Sequence, residues 1–236
     1  MKNRKAERLI VRLKEVDSTN KEAFRLLENN DFVVVSALRQ NAGYGRDGNT
    51  WVSSEGNIFV SAGKTVPVSV LKNLSLRACY FLFNLLNPYV NGELTIKWPN
   101  DIYLNEKKIA GILTETKIKG NIAKAVVGIG VNYYPVSVEG SGCLYNCISL
   151  SRKEVELKIV DSIDSVFSEK PKKEEILEIL DRNSFLKKGE RVTFFSSQEK
   201  FNGNFTGYSE DFGIKVLVGG KEHIFFSGEV KKLRKN

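Results

Sequence analysis

Lys97-Trp98-Pro99-Asn100-Asp101 runs through Ile102-Tyr103-Leu104 and the polar turn Asn105-Glu106-Lys107-Lys108 into Ile109-Ala110-Gly111-Ile112-Leu113-Thr114-Glu115. The apolar runs at 94–98, 102–104 and 109–115, each bounded by turn residues, predict three strands. After the polar turn at 117–121, residues 122–131 predict a fourth, so the stretch is a meander forming half of a sheet.

Working outward, residues 32–38 and 58–62 predict buried strands on either side of a glycine-rich loop. Thr19 followed by Glu22 forms a capping-box pattern, and Ala23, Phe24, Leu26 and Leu27 give the helix behind it one apolar face. Residues 68–86 predict a long core helix stopped by Pro88, and 153–167 and 173–180 predict helices broken at Pro171 that cover the sheet. From Gly189 onward the pattern becomes short alternating segments, at 191–195, 203–208, 214–217 and 222–226, with glycines between them. That predicts a small antiparallel β-barrel. The expected class is therefore α+β: a mixed central sheet covered by helices over residues 1–186, and the small barrel over 187–236.

The 236 residues suffice for one substantial core with a small appendage. No apolar run spans a bilayer, and the start of the chain is broken by charge, which gives a cytoplasmic expectation. Cys79, Cys143 and Cys147 form no disulfide framework, and with His223 the only histidine they offer no zinc set, so structural thiols are expected. A net charge of +8 suits nucleic acid, nucleotides or an acidic partner without choosing among them. The run Lys231-Lys232-Leu233-Arg234-Lys235 is expected as a solvated tail.

Chemistry concentrates in two places. In Gln40-Asn41-Ala42-Gly43-Tyr44-Gly45-Arg46-Asp47-Gly48-Asn49-Thr50-Trp51, Gly43, Gly45 and Gly48 free the backbone to approach an anion. Arg46 adds a permanent planar charge and Trp51 a large apolar wall, although an ordinary mobile turn has the same composition. In the other stretch, Pro99 sets a corner from which Asn100 and Asp101 project. Asp101 there suits magnesium or a plain turn-capping carboxylate. Lys108 is placed to point inward at developing negative charge while Lys107 is solvated, and Gly111 permits close approach of a ligand. Gly128-Ile129-Gly130-Val131-Asn132 ends a strand and opens no helix, so it is no dinucleotide fingerprint.

In chain order, Val16-Asp17-Ser18-Thr19-Asn20, the glycine-rich loop, the 97–101 block with Lys108 to Glu115, and Gly128 to Asn132 resemble the blocks of the biotin protein ligases, from about residue 16 to the last residues. The resemblance implies ATP-dependent attachment of biotin to a lysine of a carboxylase's biotin carboxyl carrier domain, through biotinyl-5'-AMP and with Mg²⁺. By similarity, Ser18, Thr19, Asn20 and Gln40 contact the biotin bicycle, while Gly43, the backbone of Tyr44, Gly45, Arg46, Trp51 and Gly111 enclose it. Lys108 and Arg46 are the implied catalytic cations, Arg46, Lys97, Asn100, Lys108 and Asn132 the implied nucleotide contacts, and Asp101 the implied magnesium ligand.

This loop departs from the family in having Tyr44 and Asn49 where arginines are common, and Asp47 adds a negative charge. The adenine-stacking aromatic has no clear match, with Tyr133, Tyr134 and Tyr145 as candidates. Only residues 1–15 precede the first block, too few for the winged-helix domain of the repressor members. A ligase without repressor activity, specific DNA binding or membrane attachment is thus expected, and dimerisation is left open. The rivals are a lipoate-protein ligase or related acyltransferase, and a basic nucleic-acid-binding module using the C-terminal barrel.

Overall fold

The meander is present, and its hairpin is longer than its apolar run. A computed structural model of the chain describes residues 8–168 and 171–235; the first part of the charged start, residues 1–7, lies outside the described residues. In order come β1 (Leu9–Val16), α1 (Thr19–Leu26), β2 (Phe32–Gln40), β3 (Ile58–Pro67) and α2 (Leu74–Leu86). Then follow β4 (Leu94–Lys97), β5 (Asp101–Leu104), β6 (Lys107–Lys119), β7 (Ile122–Val131), α3 (Arg152–Ser162), α4 (Ser165–Ser168) and α5 (Lys173–Asn183). The chain ends in β8 (Arg191–Ser196), β9 (Glu199–Tyr208), β10 (Ile214–Val218), β11 (Lys221–Phe225) and β12 (Lys231–Lys235).

The first seven strands form one sheet in the order β1-β2-β3-β7-β6-β5-β4, with β1 and β2 parallel and every other pair antiparallel. The expected mixed sheet with helices over it is therefore present. Alternation along each strand divides its faces. Ile58, Val60 and Ala62 of β3 and Ala125, Val127, Ile129 and Val131 of β7 face the main core, with α2, α3 and α5 packed over it. The other face carries Ser61 and Gly63 of β3, Gly111 of β6, and Gly128 and Gly130 of β7. Helix α1 covers only part of it, through Ala23, Phe24 and Leu27 on Val33, Val35 and Val126. A sheet face built from small residues beside a short helix leaves a cleft.

The five C-terminal strands form a separate antiparallel sheet, β11-β10-β9-β8-β12. Its inward residues, Phe194, Phe205, Ile214 and Val216, join the same core as the first unit. Ser184, in the connection, bridges to Ile96 and meets the Tyr208 hydroxyl at 2.7 Å.

Three local expectations need correction, and one strand was not expected at all. Residues 9–16 are a strand, which their charges conceal because β1 lies at the sheet's edge with its polar side chains outward. Residues 68–70 make a single 3-10 turn, and the helix starts only at Leu74, after Asn73 takes a left-handed φ of 57°. The cap of α1 is Ser18 and makes no side-chain bond to the helix, while the Thr19 hydroxyl goes to Gln40. A true capping box stands at Ser151 and Glu154, heading α3. Finally, Lys231–Lys235 is a strand paired with β8 rather than a solvated tail. Loss of the Ser151 cap is expected to be felt globally: Ser151→Ala should lower the melting temperature by about 2–4 °C in a differential scanning experiment. An unchanged transition would mean that α3 is held by packing alone.

Candidate active site

Parallel pairing fixes the first wall. Val16 lies opposite Gln40, so the chain leaving β1 turns over the end of β2 and brings Ser18, Thr19 and Asn20 against Gln40. All three are buried. Gln40 Oε1 accepts from the Thr19 backbone N–H at 2.8 Å and from its hydroxyl at 3.0 Å. Ser61 Oγ lies 2.7 Å from Thr19 Oγ1 and donates to Asn20 Oδ1 at 2.6 Å, while Asn20 Nδ2 donates to Glu115 Oε2 at 2.7 Å. A fully engaged polar network is rigid and orients its remaining lone pairs and protons.

The glycines of the sheet make the floor. A Cβ on Gly128 would stand 2.2 Å from Asn20 Oδ1, and one on Gly130 2.6 Å from the Trp51 ring. Gly111, paired with Gly130, would meet the same ring at 2.8 Å and the end of the Lys108 side chain at 3.3 Å. The glycine pattern therefore admits Asn20 and Trp51 onto the sheet. The buried indole N–H of Trp51 has no acceptor among the described residues, a cost that a ligand oxygen on this wall would recover.

At the other end, Lys108 Nζ lies 2.7 Å from Asp101 Oδ1, an ionic contact without hydrogen-bond alignment, and 5.3 Å from the centre of the Trp51 ring. Lys107 is exposed, as expected. Arg46, from the glycine-rich loop, donates to Asn100 Oδ1 at 3.3 Å and to the carbonyls of Ser227 and Val230 at 2.9 and 3.2 Å. Asn100 in turn donates to the Ile112 carbonyl at 3.0 Å, so it ties the loop to β6. Lys97 lies over the Tyr103 and Phe185 rings, and burial lowers its pKa, with Asp101 opposing the shift.

These groups line one cleft of about 900 Å³. It unites Ser18, Thr19, Asn20, Gln40, Tyr44, Gly45, Arg46, Trp51, Lys97, Asn100, Asp101, Lys108 and Gly111. Two expected residues stand outside its lining. Gly43 packs behind it, against Gln40 and Ser53, where it lets the loop close on itself. Asn132 is buried and donates to the Gly142 carbonyl at 3.2 Å, fastening β7 to the segment that brackets Lys108. None of Tyr133, Tyr134 and Tyr145 lines the cleft either; their rings pack on one another.

Sequence reasoning missed Ser61, whose signal was a polar residue in the apolar run 58–62, and Glu115, which sits among polar residues of β6 and carries no such signal. It also missed Val230 to Arg234, which wall the cleft from the second sheet. The unusual loop residues have partners: Asp47 lies 3.8 Å from Lys231, and Asn49 donates to the Arg46 carbonyl at 2.8 Å. No helix among the described residues is long and apolar enough to cross a membrane.

Residues 11–132 match the model of the Biotin/lipoate A/B protein ligase family. The chain is 39% identical over 127 residues to a biotin--[acetyl-CoA-carboxylase] ligase of Paracoccus denitrificans, covering 51% of this chain and 52% of that one. It is 36% identical over 123 residues to the bifunctional ligase/repressor BirA of Bacillus spizizenii, covering 50% and 38%. The matches thus span about two fifths to one half of these curated relatives. Among solved structures, a biotin protein ligase from Aquifex aeolicus in complex with biotin and ATP superposes with a TM-score of 0.79 at 30% identity, covering 97% of this chain and 99% of that one.

Proposed function

The chain belongs to the biotin/lipoate A/B protein ligase family, and from that premise we propose that it joins biotin to a lysine of a biotin carboxyl carrier domain at the expense of ATP. The observation that carries this reading is the pairing, in one cleft, of a buried hydrogen-bonding end around Asn20 and Gln40 with a cationic end at Lys108 and Arg46. A ureido bicycle needs the first, because a polar group taken out of water must find partners. A carboxylate meeting a triphosphate needs the second.

In the first half-reaction, a biotin carboxylate oxygen forms a bond to the α-phosphorus of ATP as the bond to the β-phosphate bridge breaks and pyrophosphate leaves. Lys108 and Arg46 neutralise the charge that gathers on the phosphoryl oxygens, and the fixed walls hold the reactants in line. In the second, the carrier's lysine amine attacks the acyl carbon of biotinyl-5'-AMP, and AMP departs. Trp51 and the loop over the cleft exclude water that would hydrolyse the anhydride. Both halves take place where ATP is abundant, in keeping with a cytoplasmic enzyme.

Magnesium suits this arrangement. Among the described residues no group of three His, Cys, Asp or Glu side chains converges, and the cleft offers Asp101 beside Lys108. A Mg²⁺ carried on nucleotide phosphates asks the protein for only one or two carboxylates, which Asp101 can supply. Bound there, it would add charge neutralisation to that of the two cations.

The test is mass spectrometry of a carrier domain after incubation with this protein, Mg-ATP and either biotin or lipoate. The expected result is a gain of one biotin and none of lipoate. A gain with lipoate alone would transfer the assignment to the sister activity, and no gain with either would refute both.

A further inference from the structure

We infer that the Tyr44 side chain is a positioning residue that pins the base of the glycine-rich loop to Glu115 before any substrate arrives, and through that carboxylate fixes the orientation of Asn20. The proposal takes biotin as the ligand from the function proposed above. Tyr44 lines the cleft, but its hydroxyl is committed to the protein: it donates to Glu115 Oε2 at 2.9 Å. Its ring lies 5.6 Å from Lys21 Nζ, in the first turn of α1. Three separate elements, the loop, the α1 start and β6, therefore meet at one phenol.

The geometry gives the contact its consequence. Glu115 Oε2 is the oxygen that also accepts from Asn20 Nδ2, so the loop and the amide share a single acceptor. Asn20 Oδ1 is held from the other side by Ser61, which leaves that amide one orientation. The backbone continues the anchor: Tyr44 bridges to Thr50, and the Trp51 backbone N–H donates to the Gly43 carbonyl at 3.0 Å. Beyond the anchor the backbone takes positive φ at Asp47 (56°) and Gly48 (74°), in the exposed turn of the loop. The base of the loop is thereby held against the pocket floor together with Trp51. Burial first, and then Glu115, push the phenol up to about 12, so it remains a donor throughout the neutral and alkaline range in which the protein can be assayed.

The experiment compares wild type with Tyr44→Phe, which removes one oxygen and keeps the ring. Backbone amide exchange of residues 43–51 in the free protein is expected to rise about tenfold, the scale of losing about 1.4 kcal/mol of local closure. The KM for biotin should rise about tenfold, with kcat changed less than twofold, because the preformed site and not the reacting cations is disturbed. Glu115→Gln, which keeps an acceptor for both donors, should retain more loop protection than Glu115→Ala. Unchanged exchange in Tyr44→Phe, or a loss in kcat with KM unmoved, overturns the proposal. Faster exchange in a protein that transfers no biotin would leave the anchor standing and remove the proposed activity instead.

Discussion

Lys108→Ala is expected to slow pyrophosphate release in a single turnover with biotin and Mg-ATP by about 10²–10³-fold, the usual effect of removing a preorganised donor from developing charge. The Lys108 side chain is 29% exposed, with its ammonium 2.7 Å from Asp101 and over the Trp51 ring, so its position is set before ligand binds. Biotin affinity should change little, because the network of Thr19, Asn20, Gln40 and Ser61 is intact in the variant. Lys108→Arg restores the charge but not the compact geometry, and is expected to recover only part of the rate. A loss of less than tenfold in the alanine variant would remove Lys108 from the chemistry and leave Arg46 as the principal cation.

Lys108 was legible in the sequence because its cause is local: a lysine at the turn into an apolar strand with a glycine three residues on. The same holds for β4 to β7, whose register follows from short polar turns. What stayed hidden depends on distant pairing. Strand β1 is interrupted by Arg12, Lys14 and Glu15, and only its parallel register with β2 explains why Ser18 meets Gln40. The basic run at the end looks solvated in isolation, yet pairing with β8 carries Lys231, Lys232 and Arg234 to the cleft wall. Asn132 lies in a block matching the family and still points its amide at the Gly142 carbonyl, because strand ends satisfy their backbone first. Thr19 had the composition of a capping residue, and a half-buried glutamine 21 positions away outcompeted the helix for its hydroxyl.

The glycine spacing of β7 carries the second large prediction. Gly128→Val is expected to weaken biotin binding about a hundredfold in a calorimetric titration, or about 2.8 kcal/mol. A Cβ at that position would stand 2.2 Å from Asn20 Oδ1 and 2.9 Å from Asn20 Cγ, far inside any tolerable contact. Asn20 has nowhere to retreat: it is 4% exposed and bonded to Ser61 on one side and Glu115 on the other. Either the strand moves away from α1 or the amide leaves its slot and strands Ser61 and Glu115 without their partner, and each course costs about 1–3 kcal/mol. The melting temperature should therefore fall by about 5 °C. Adding Asn20→Gly to Gly128→Val separates the two effects, since it clears the clash without restoring the donor. The double variant should still bind biotin poorly although the clash is gone; if Gly128→Val alone binds biotin like wild type, the Asn20 slot is not the biotin end of the cleft.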